Sequence, residues 1–353
     1  MVDYAMEPLV RNAWYIAAWS DEIDDGQLVA RRILGQDVVF FRDATGKAAA
    51  LEDRCCHRAV PLSLGAACEA GIRCGYHGLV FDGTGACVDN PGEALNPDVF
   101  RVRAFKLVER QHALWIWMGD QALADADLIV DFPYHDLEDW PAHYGRYEFA
   151  ANYMFLVDNL MDLTHLGYVH GSTIGGDPEA HNQADLETMR TTRGARFIRW
   201  MMNSPPPPSF VKAAGFKGNV DRWSDFEYVA PATVRQWGGG LDAGTGAREN
   251  RDQEGGLSLR LLHHATPETD SSFHYFFSVA VQGVPVDSEA GQGFFGDILE
   301  AFLEDKQYIE AQQQSVAKDP DRKLILRQHD KAVAYSRQAL HQMLAAELKE
   351  AAE

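Results

Sequence analysis

The 353-residue sequence predicts an α+β protein: an all-β N-terminal domain, then a larger domain in which an antiparallel sheet is joined by helices. Three observations predict it. Over the first 120 residues, short β-like runs are punctuated by Gly and Asx turns. Residues 152–170 and 291–317 carry the periodicity of helices. Residues 224–236, 257–265 and 272–282 alternate and are rich in aromatic and β-branched side chains, as antiparallel strands are.

In chain order, the N-terminal runs are Leu28–Leu34, Asp37–Phe41, Ala48–Glu52, Val99–Val108 and Ala113–Trp117, with turns such as DGTG at 82–85 and DNPG at 89–92. An acidic, turn-rich stretch over 119–145 suits a connection, and a boundary near residue 128 gives domains 1–128 and 129–353. SPPPPS at 204–209 reads as an extended surface turn, and GGGLDAGTGARENRDQEGG at 238–256 as a long loop joining two strands. The tail from Lys331 reads as a surface helix.

Composition narrows the function classes. Lys and Arg total 32 against 52 Asp and Glu, and the net charge of −20 repels a phosphate backbone, so nucleic acid is not an expected partner. No apolar run approaches the roughly 18 residues of a membrane span. The start, MVDYAMEPLVRNAWYIAAW, lacks the basic region and apolar core of a signal peptide, and the chain is expected in the cytoplasm, where thiols stay reduced. The five cysteines, at 55, 56, 68, 74 and 87, are crowded together, which points to metal or redox chemistry rather than disulfides.

Four potential ligands stand in LEDRCCHRAV and RCGYHGLVFDG: Cys55 and His57 as CxH, then Cys74 and His77 as CxxH. Two thiolates and two imidazoles bind either one zinc or one [2Fe–2S] cluster with the cysteines on one iron and the histidines on the other. Each loop supplies one ligand of each kind, as a Rieske cluster requires, whereas zinc fingers usually pair like with like. Gly75 and Gly78 let backbone amides approach the cluster sulfurs. Cys56, Cys68 and Cys87 read as spare thiols.

A second set lies in NYMFLVDNLMDLTHLGYVHGS. On a regular helix Asp158, Asp162 and His165 fall within about 60° of one another, whereas His170 lies about 140° from His165. If both histidines bind one metal the helix must break between them, and Gly167 is the expected place. Two imidazoles and a carboxylate form the facial triad of non-haem iron(II), which leaves positions open for O2. In GFFGDILEAFLEDKQYIEAQQ, Asp305 projects into the apolar stripe of Ile298, Phe302 and Ile309, while Glu304 is expected to point well away. A buried ionised carboxylate is costly unless paired or metal-bound, which makes Asp305 the third candidate ligand.

These segments, together with RNAWYIAAW, CCHRAVPLSLG, CGYHGLVFDGTGACVDNPG, LWIWMGDQALADADLI, LVDNLMDLTHLGYVH, ATPETDSSFHYFF and EDKQYIEAQQ, resemble the Rieske non-haem iron oxygenases, specifically the terminal oxygenases of the vanillate and dicamba O-demethylase type. The resemblance covers nearly the whole chain. It implies an N-terminal Rieske domain and a helix-grip-like catalytic domain. It implies that Cys55, His57, Cys74 and His77 carry a [2Fe–2S] cluster, and that His165, His170 and Asp305 carry a mononuclear Fe(II). Asp162 is then the bridging aspartate between His165 and a cluster histidine of the next subunit in a homotrimer, and Asn159 joins it as a catalytic-site residue. Gln236, His263 and Phe295 or Gly296 fall at substrate-pocket positions, with His264, sent to the opposite face by strand alternation, as the competitor of His263. The one departure in the cluster loop is Cys56, where the family commonly has proline.

The activity implied is monooxygenation with O2, resulting in O-demethylation or N-dealkylation of a small aromatic substrate. Electrons come from NAD(P)H through a separate ferredoxin or flavin/iron–sulfur reductase, since the chain has no GxGxxG fingerprint. Ring or methyl hydroxylation without dealkylation is the alternative, and a Rieske electron carrier a further one.

Overall fold

A computed structural model of the protein describes residues 9–94, 96, 98–251 and 255–350. The chain divides into two compact units, one of Leu9–Val130 with Thr266–Thr269, the other of Asp131–Ala265 and Asp270 onward.

The first unit contains β1 (Trp14–Trp19), β2 (Val29–Ile33), β3 (Gln36–Arg42), β4 (Ala48–Glu52), β5 (Ala66–Cys68), β6 (Gly71–Arg73), β7 (Val80–Phe81), β8 (Cys87–Asp89), β9 (Ala104–Phe105), β10 (Leu107–Arg110) and β11 (Ala113–Trp117). They form three antiparallel sheets: β1-β11-β10, β2-β3-β4-β9 and β5-β6-β7-β8. Strands β1 (WYIAAW) and β11 (ALWIW) are buried at every residue, the pattern of strands covered on both faces, and β1 therefore shows no alternation to read. The single run expected over 99–108 is instead β9 and β10 in two different sheets. Lys106 separates them: its N–H donates to Gln121 Oε1 and its carbonyl accepts from Trp117. The sheet of β5 to β8 has strands of two or three residues, too short for periodicity to report.

In the second unit stand β12 (Ala142–Phe149), α1 (Met154–Met161), α2 (Leu166–Val169), α3 (Pro178–Asn182), β13 (Asp185–Thr191), β14 (Gly194–Ser204), α4 (Pro208–Ala214), β15 (Val220–Val229), β16 (Thr233–Asp242), β17 (Leu257–Pro267), β18 (Phe273–Val281), α5 (Glu289–Lys318) and α6 (Lys331–Glu350). Seven strands make one antiparallel sheet in the order β12-β18-β17-β16-β15-β14-β13. Helix α5 packs against α1 and α4, and α6 against α1 and β14. Ser288 caps α5, its Oγ accepting from the N–H of Gly291. The buried positions Phe294, Ile298, Phe302, Asp305 and Ile309 then recur at helical spacing along one face.

Several expectations are corrected here. The alternation over 224–236 belongs to two strands, β15 and β16, joined by the buried turn Ala230–Ala232, whose small apolar residues continue the pattern through the reversal. The glycine-rich loop begins after Asp242, because Gly238, Gly239 and Gly240 lie in β16. A Cβ at Gly239 would meet the Trp223 ring at 2.3 Å and one at Gly238 would meet Leu259 at 2.8 Å, so these glycines permit close approach rather than motion. Residues 252–254 of that stretch lie outside the described residues. The prolines at 204–209 lead into α4, with Pro208 at its first turn. Helix α6 is a surface helix with one inward face: Ala332, Val333, Ser336, Arg337 and Leu340 are buried, and Arg337 Nη2 pairs with Asp158 Oδ2 at 2.6 Å.

Candidate metal centres and substrate cavity

The loops carrying the first ligand set repeat one hydrogen-bond design. The N–H of Cys55 donates to Val60 O at 2.9 Å and that of Ala59 to Cys55 O at 2.9 Å; the N–H of Cys74 donates to Leu79 O at 2.8 Å and that of Gly78 to Cys74 O at 3.1 Å. Each loop turns through a left-handed residue, Ala59 at φ 57° and Gly78 at φ 80°. Asp53 anchors the first loop by accepting from the N–H and the hydroxyl of Ser63.

Both thiols end up in the core with Leu62, Ile72 and Phe81, whereas the imidazoles are exposed, with ring centroids 4.5 Å apart. Burial pushes the Cys55 thiol up to about 11, so a thiolate there needs a compensating cation. The donor set fits a cluster with one iron on the buried thiols and the other on the exposed imidazoles, where electrons enter and leave. Cys56 is exposed, Cys68 half-buried and Cys87 buried, its Sγ 3.2 Å from Asp89 O.

The second set converges as the sequence reading expected, by a different route. The helix breaks at Asp162, which is extended (φ −134°, ψ 100°), not at Gly167. Asp162 caps the short turn Leu163–His165, its carboxylate accepting from the N–H and the hydroxyl of Thr164, each at 3.0 Å. Gly167 serves packing, since a Cβ there would lie 2.5 Å from Pro178 Cα.

With the break so placed, one ligand atom from each of His165, His170 and Asp305 lies within 4.8 Å of the others. Asp305 Oδ1 is 3.1 Å from His170 Nε2 and 3.4 Å from His165 Nε2. Burial opposes charge on His170, yet Asp305 and Glu304 outweigh it and raise its pKa. Two imidazoles drawn to a carboxylate that is only 6% exposed form a set that could hold a divalent cation with positions to spare.

Two roles differ from expectation. Glu304 does not point away: its Oε2 lies 2.7 Å from His170 Nδ1. Sequence reasoning missed it, and the one available signal was its place beside Asp305. Asp162 meets His165 through its backbone, since Nδ1 of His165 bonds the Asp162 carbonyl at 2.8 Å while the carboxylate is engaged with Thr164. Asn159 joins the site directly, its Nδ2 donating to Asp305 Oδ1 at 2.9 Å. Asp158, by contrast, is held by Arg337.

A cavity opens beside these ligands, lined by Asn159, His165, Phe226, Gln236, His263, Phe294, Phe302 and Asp305 among others. Its floor is one face of the sheet: Phe226 pairs with Gln236, and Gln236 with Leu261. His263 lines it, with Nδ1 2.6 Å from Tyr275 Oη and Nε2 3.0 Å from Gln236 Oε1. His264 faces the other side, its Nδ1 2.8 Å from Thr233 Oγ1, as strand alternation requires. Phe295 is corrected: it stacks on His143 with centroids 4.1 Å apart, and Phe294 takes the lining position on α5.

A centre suited to storing electrons and a centre suited to activating O2 define a class, the iron oxygenases that are reduced one electron at a time. Comparison with known proteins agrees. The vanillate O-demethylase oxygenase C-terminal domain matches residues 149–346, and the Rieske [2Fe-2S] domain residues 13–106. The chain is 38% identical to the iron-sulfur subunit of a toluene-4-sulfonate monooxygenase system of Comamonas testosteroni, over 96% of this chain and 98% of that one. It is 35% identical to a vanillate O-demethylase oxygenase subunit of a Pseudomonas strain, over 96% and 95%. The crystal structure of dicamba monooxygenase bound to 3,6-dichlorosalicylic acid superposes with a TM-score of 0.90 at 31% identity, over 97% of this chain and 99% of that one. The chain belongs to the Rieske non-haem iron oxygenases and is the oxygenase component of a monooxygenase system, with a Rieske [2Fe–2S] cluster and a mononuclear iron as cofactors. Its electrons come from a separate donor. Among the described residues, no helix is long and apolar enough to cross a membrane.

Proposed function

We propose that this oxygenase removes an O-methyl or N-alkyl group from a small aromatic substrate. The observation that carries the reading is the cavity itself, in which His165, Asp305 and Asn159 share a lining with Phe226, Phe294 and Phe302. In it, Cys55, His57, Cys74 and His77 hold the cluster, and His165, His170 and Asp305 the mononuclear iron. When bound, the cluster supplies electrons singly and the iron supplies O2 activation. The aromatic walls exclude water and present the alkyl carbon to the ligand side. Glu304 and the Asp162 carbonyl fix the two imidazoles by their Nδ1 atoms, which leaves each Nε2 free to ligate. Asn159 orients the Asp305 carboxylate. Hydroxylation of a carbon bonded to oxygen or nitrogen gives a hemiacetal or hemiaminal, which collapses to release an aldehyde.

The exposed imidazoles of His57 and His77 suit electron entry from a ferredoxin or a flavin/iron–sulfur reductase that draws on NAD(P)H, and exit toward a second copy. The resemblance supplies the arrangement: a homotrimer in which the cluster of one subunit serves the iron of the next, with Asp162 on the path. Five unpaired cysteines are in keeping with a cytoplasmic protein.

One observation favours a second reading. Toluene-4-sulfonate, named for a 38%-identical relative, carries a ring methyl and no O-alkyl or N-alkyl group, so methyl hydroxylation without dealkylation stands beside the first reading. A turnover screen with a surrogate reductase decides between them across methoxyaromatic acids, N-alkyl anilides and methylarenes. Aldehyde release with loss of the alkyl group supports dealkylation; a product that keeps all its carbons and gains a hydroxyl replaces it with the second reading.

A further inference from the structure

The cavity wall holds one cation that the iron chemistry leaves unused. Arg222, on β15, is the single Lys or Arg among the lining residues, and it is 6% exposed. Nη1 and Nη2 donate to the carbonyls of Gly175 and Ile174 at 2.9 and 3.2 Å, and the guanidinium carbon lies 5.2 Å from the Phe210 ring centroid. Nε has no partner. Ser209, also in the lining and wholly buried, has an Oγ with no partner either. No carboxylate pairs with Arg222 among the described residues; the charged group that acts on it is the cationic Arg199. A buried guanidinium with an idle donor, sharing one cavity wall with an idle hydroxyl, is costly unless an anion completes it.

The position of this pair along the sheet is defined by register. Arg222 pairs with Gly240 and His263 with Val234, six positions apart along β16, or roughly 20 Å. The iron ligands belong to the His263 end, because Phe302, three residues before Asp305 on α5, packs against His263 with centroids 5.7 Å apart. Between the two ends the lining includes Gly238, where a Cβ would meet Leu259 at 2.8 Å, and at the Arg222 end Gly240 lies under the Phe210 ring, where a Cβ would stand at 3.3 Å. His263 is a poor anion receptor. Burial lowers its pKa to about 3, and both its nitrogens are engaged.

We propose that Arg222 and Ser209 form an oxoanion subsite at the end of the cavity away from the iron, so that the substrate is an aryl sulfonate or carboxylate whose reacting alkyl group lies on the opposite side of the ring. The inference rests on the monooxygenase reading above and narrows its substrate class. Sulfonate and carboxylate share the chemistry that Arg222 and Ser209 recognise, and the probes tell them apart.

The test compares toluene-4-sulfonate and 4-methoxybenzoate with their neutral counterparts, toluene-4-sulfonamide and 4-methoxybenzamide, using holoenzyme with a surrogate reductase. One or both anions are expected to exceed the matching amide in kcat/KM by tenfold or more. Ser209→Ala, a small change, is expected to lower kcat/KM for the anions roughly tenfold and for the amides by less, and Arg222→Gln to abolish the preference. Equal use of anions and amides by the wild type, or equal loss for both in Arg222→Gln, overturns the subsite and leaves Arg222 as a tether for residues 174–175. Equilibrium titration of the loaded enzyme separates the two layers. Selective anion binding without oxidation keeps the subsite and removes the activity; oxidation without selective binding does the reverse.

Discussion

Glu304 Oε2 lies 2.7 Å from Nδ1 of His170, on the ring atom opposite the Nε2 that faces Asp305. Adjacent residues of α5 thus grip both edges of one buried imidazole. If Glu304 fixes the tautomer, Glu304→Ala should weaken retention of the mononuclear iron by roughly 10- to 100-fold while the cluster spectrum is unchanged. Glu304→Gln, which can still bond Nδ1, should recover part of it. Iron affinity by competitive chelation reads both; wild-type retention in Glu304→Ala removes the orienting role.

Asp162→Asn keeps the backbone carbonyl that receives His165 Nδ1 and an oxygen able to cap Thr164. Both metal centres should therefore load normally. Turnover should fall by orders of magnitude if the carboxylate lies on the electron path between subunits, and single-turnover reoxidation of the cluster should slow with it. Full activity would take Asp162 off that path.

Arg337 and Asp158 are a buried ion pair, joined through Arg337 Nε at 3.1 Å and Nη2 at 2.6 Å. Asp158→Ala leaves the guanidinium buried without its carboxylate, and a loss of about 3–5 kcal/mol is expected by denaturant titration. Removing both charges with well-packed apolar residues should recover most of it. A loss below about 1 kcal/mol in the single variant would show that the pair is solvated.

Three histidines, His181, His263 and His264, have pKa values lowered to about 3, chiefly by burial. Folded, they stay neutral; unfolded, they titrate near 6.5. The unfolded chain therefore binds up to three more protons than the folded one as pH drops through that value. Their neutral burial costs nothing above about pH 6.5 and destabilises progressively below it, by up to about 4 kcal/mol per pH unit. Denaturation at pH 7.5, 6.5 and 5.5 should show flat stability giving way to a steep fall; a flat profile down to pH 5.5 contradicts it.

Ala59 occupies, at φ 57°, the left-handed position that Gly78 fills in the matching loop. Ala59→Gly should raise stability or leave it unchanged, the roughly 1 kcal/mol of relieved strain set against added chain entropy. Gly78→Ala should lower it, since its new Cβ also meets Pro91 at 3.2 Å. Thermal unfolding of loaded protein compares the two.

What could be read in the sequence depended on whether chemistry or packing set the signal. Cys55, His57, Cys74 and His77 are close in sequence because each loop is a single tight turn, so spacing alone exposed them. Asp305 stood out because a charge on the apolar stripe of α5 violates the pattern around it. Glu304 did not, since an acid on the polar side of a helix is ordinary until His170 arrives from 134 residues away. The break at Asp162 was also hidden: a side chain capping its own chain two residues on leaves no periodic trace, whereas Gly167 drew attention for a freedom that it does not use. The Gly238–Gly240 run likewise reads as part of a loop, and only the Trp223 ring and Leu259 explain why glycine stands in a strand. Arg222 carried no signal at all, because burial without a carboxylate partner is a tertiary fact.

The central claim is that two iron centres of different kinds reside in one chain, the second held by His165, His170 and Asp305. Iron and acid-labile sulfide, measured on the wild type and on Asp305→Ala, test it most directly. The wild type should contain about three irons and two sulfides per chain with a Rieske spectrum, and the variant about two irons and two sulfides with that spectrum intact. Three irons retained in Asp305→Ala, or loss of the Rieske spectrum along with the third iron, would contradict the account.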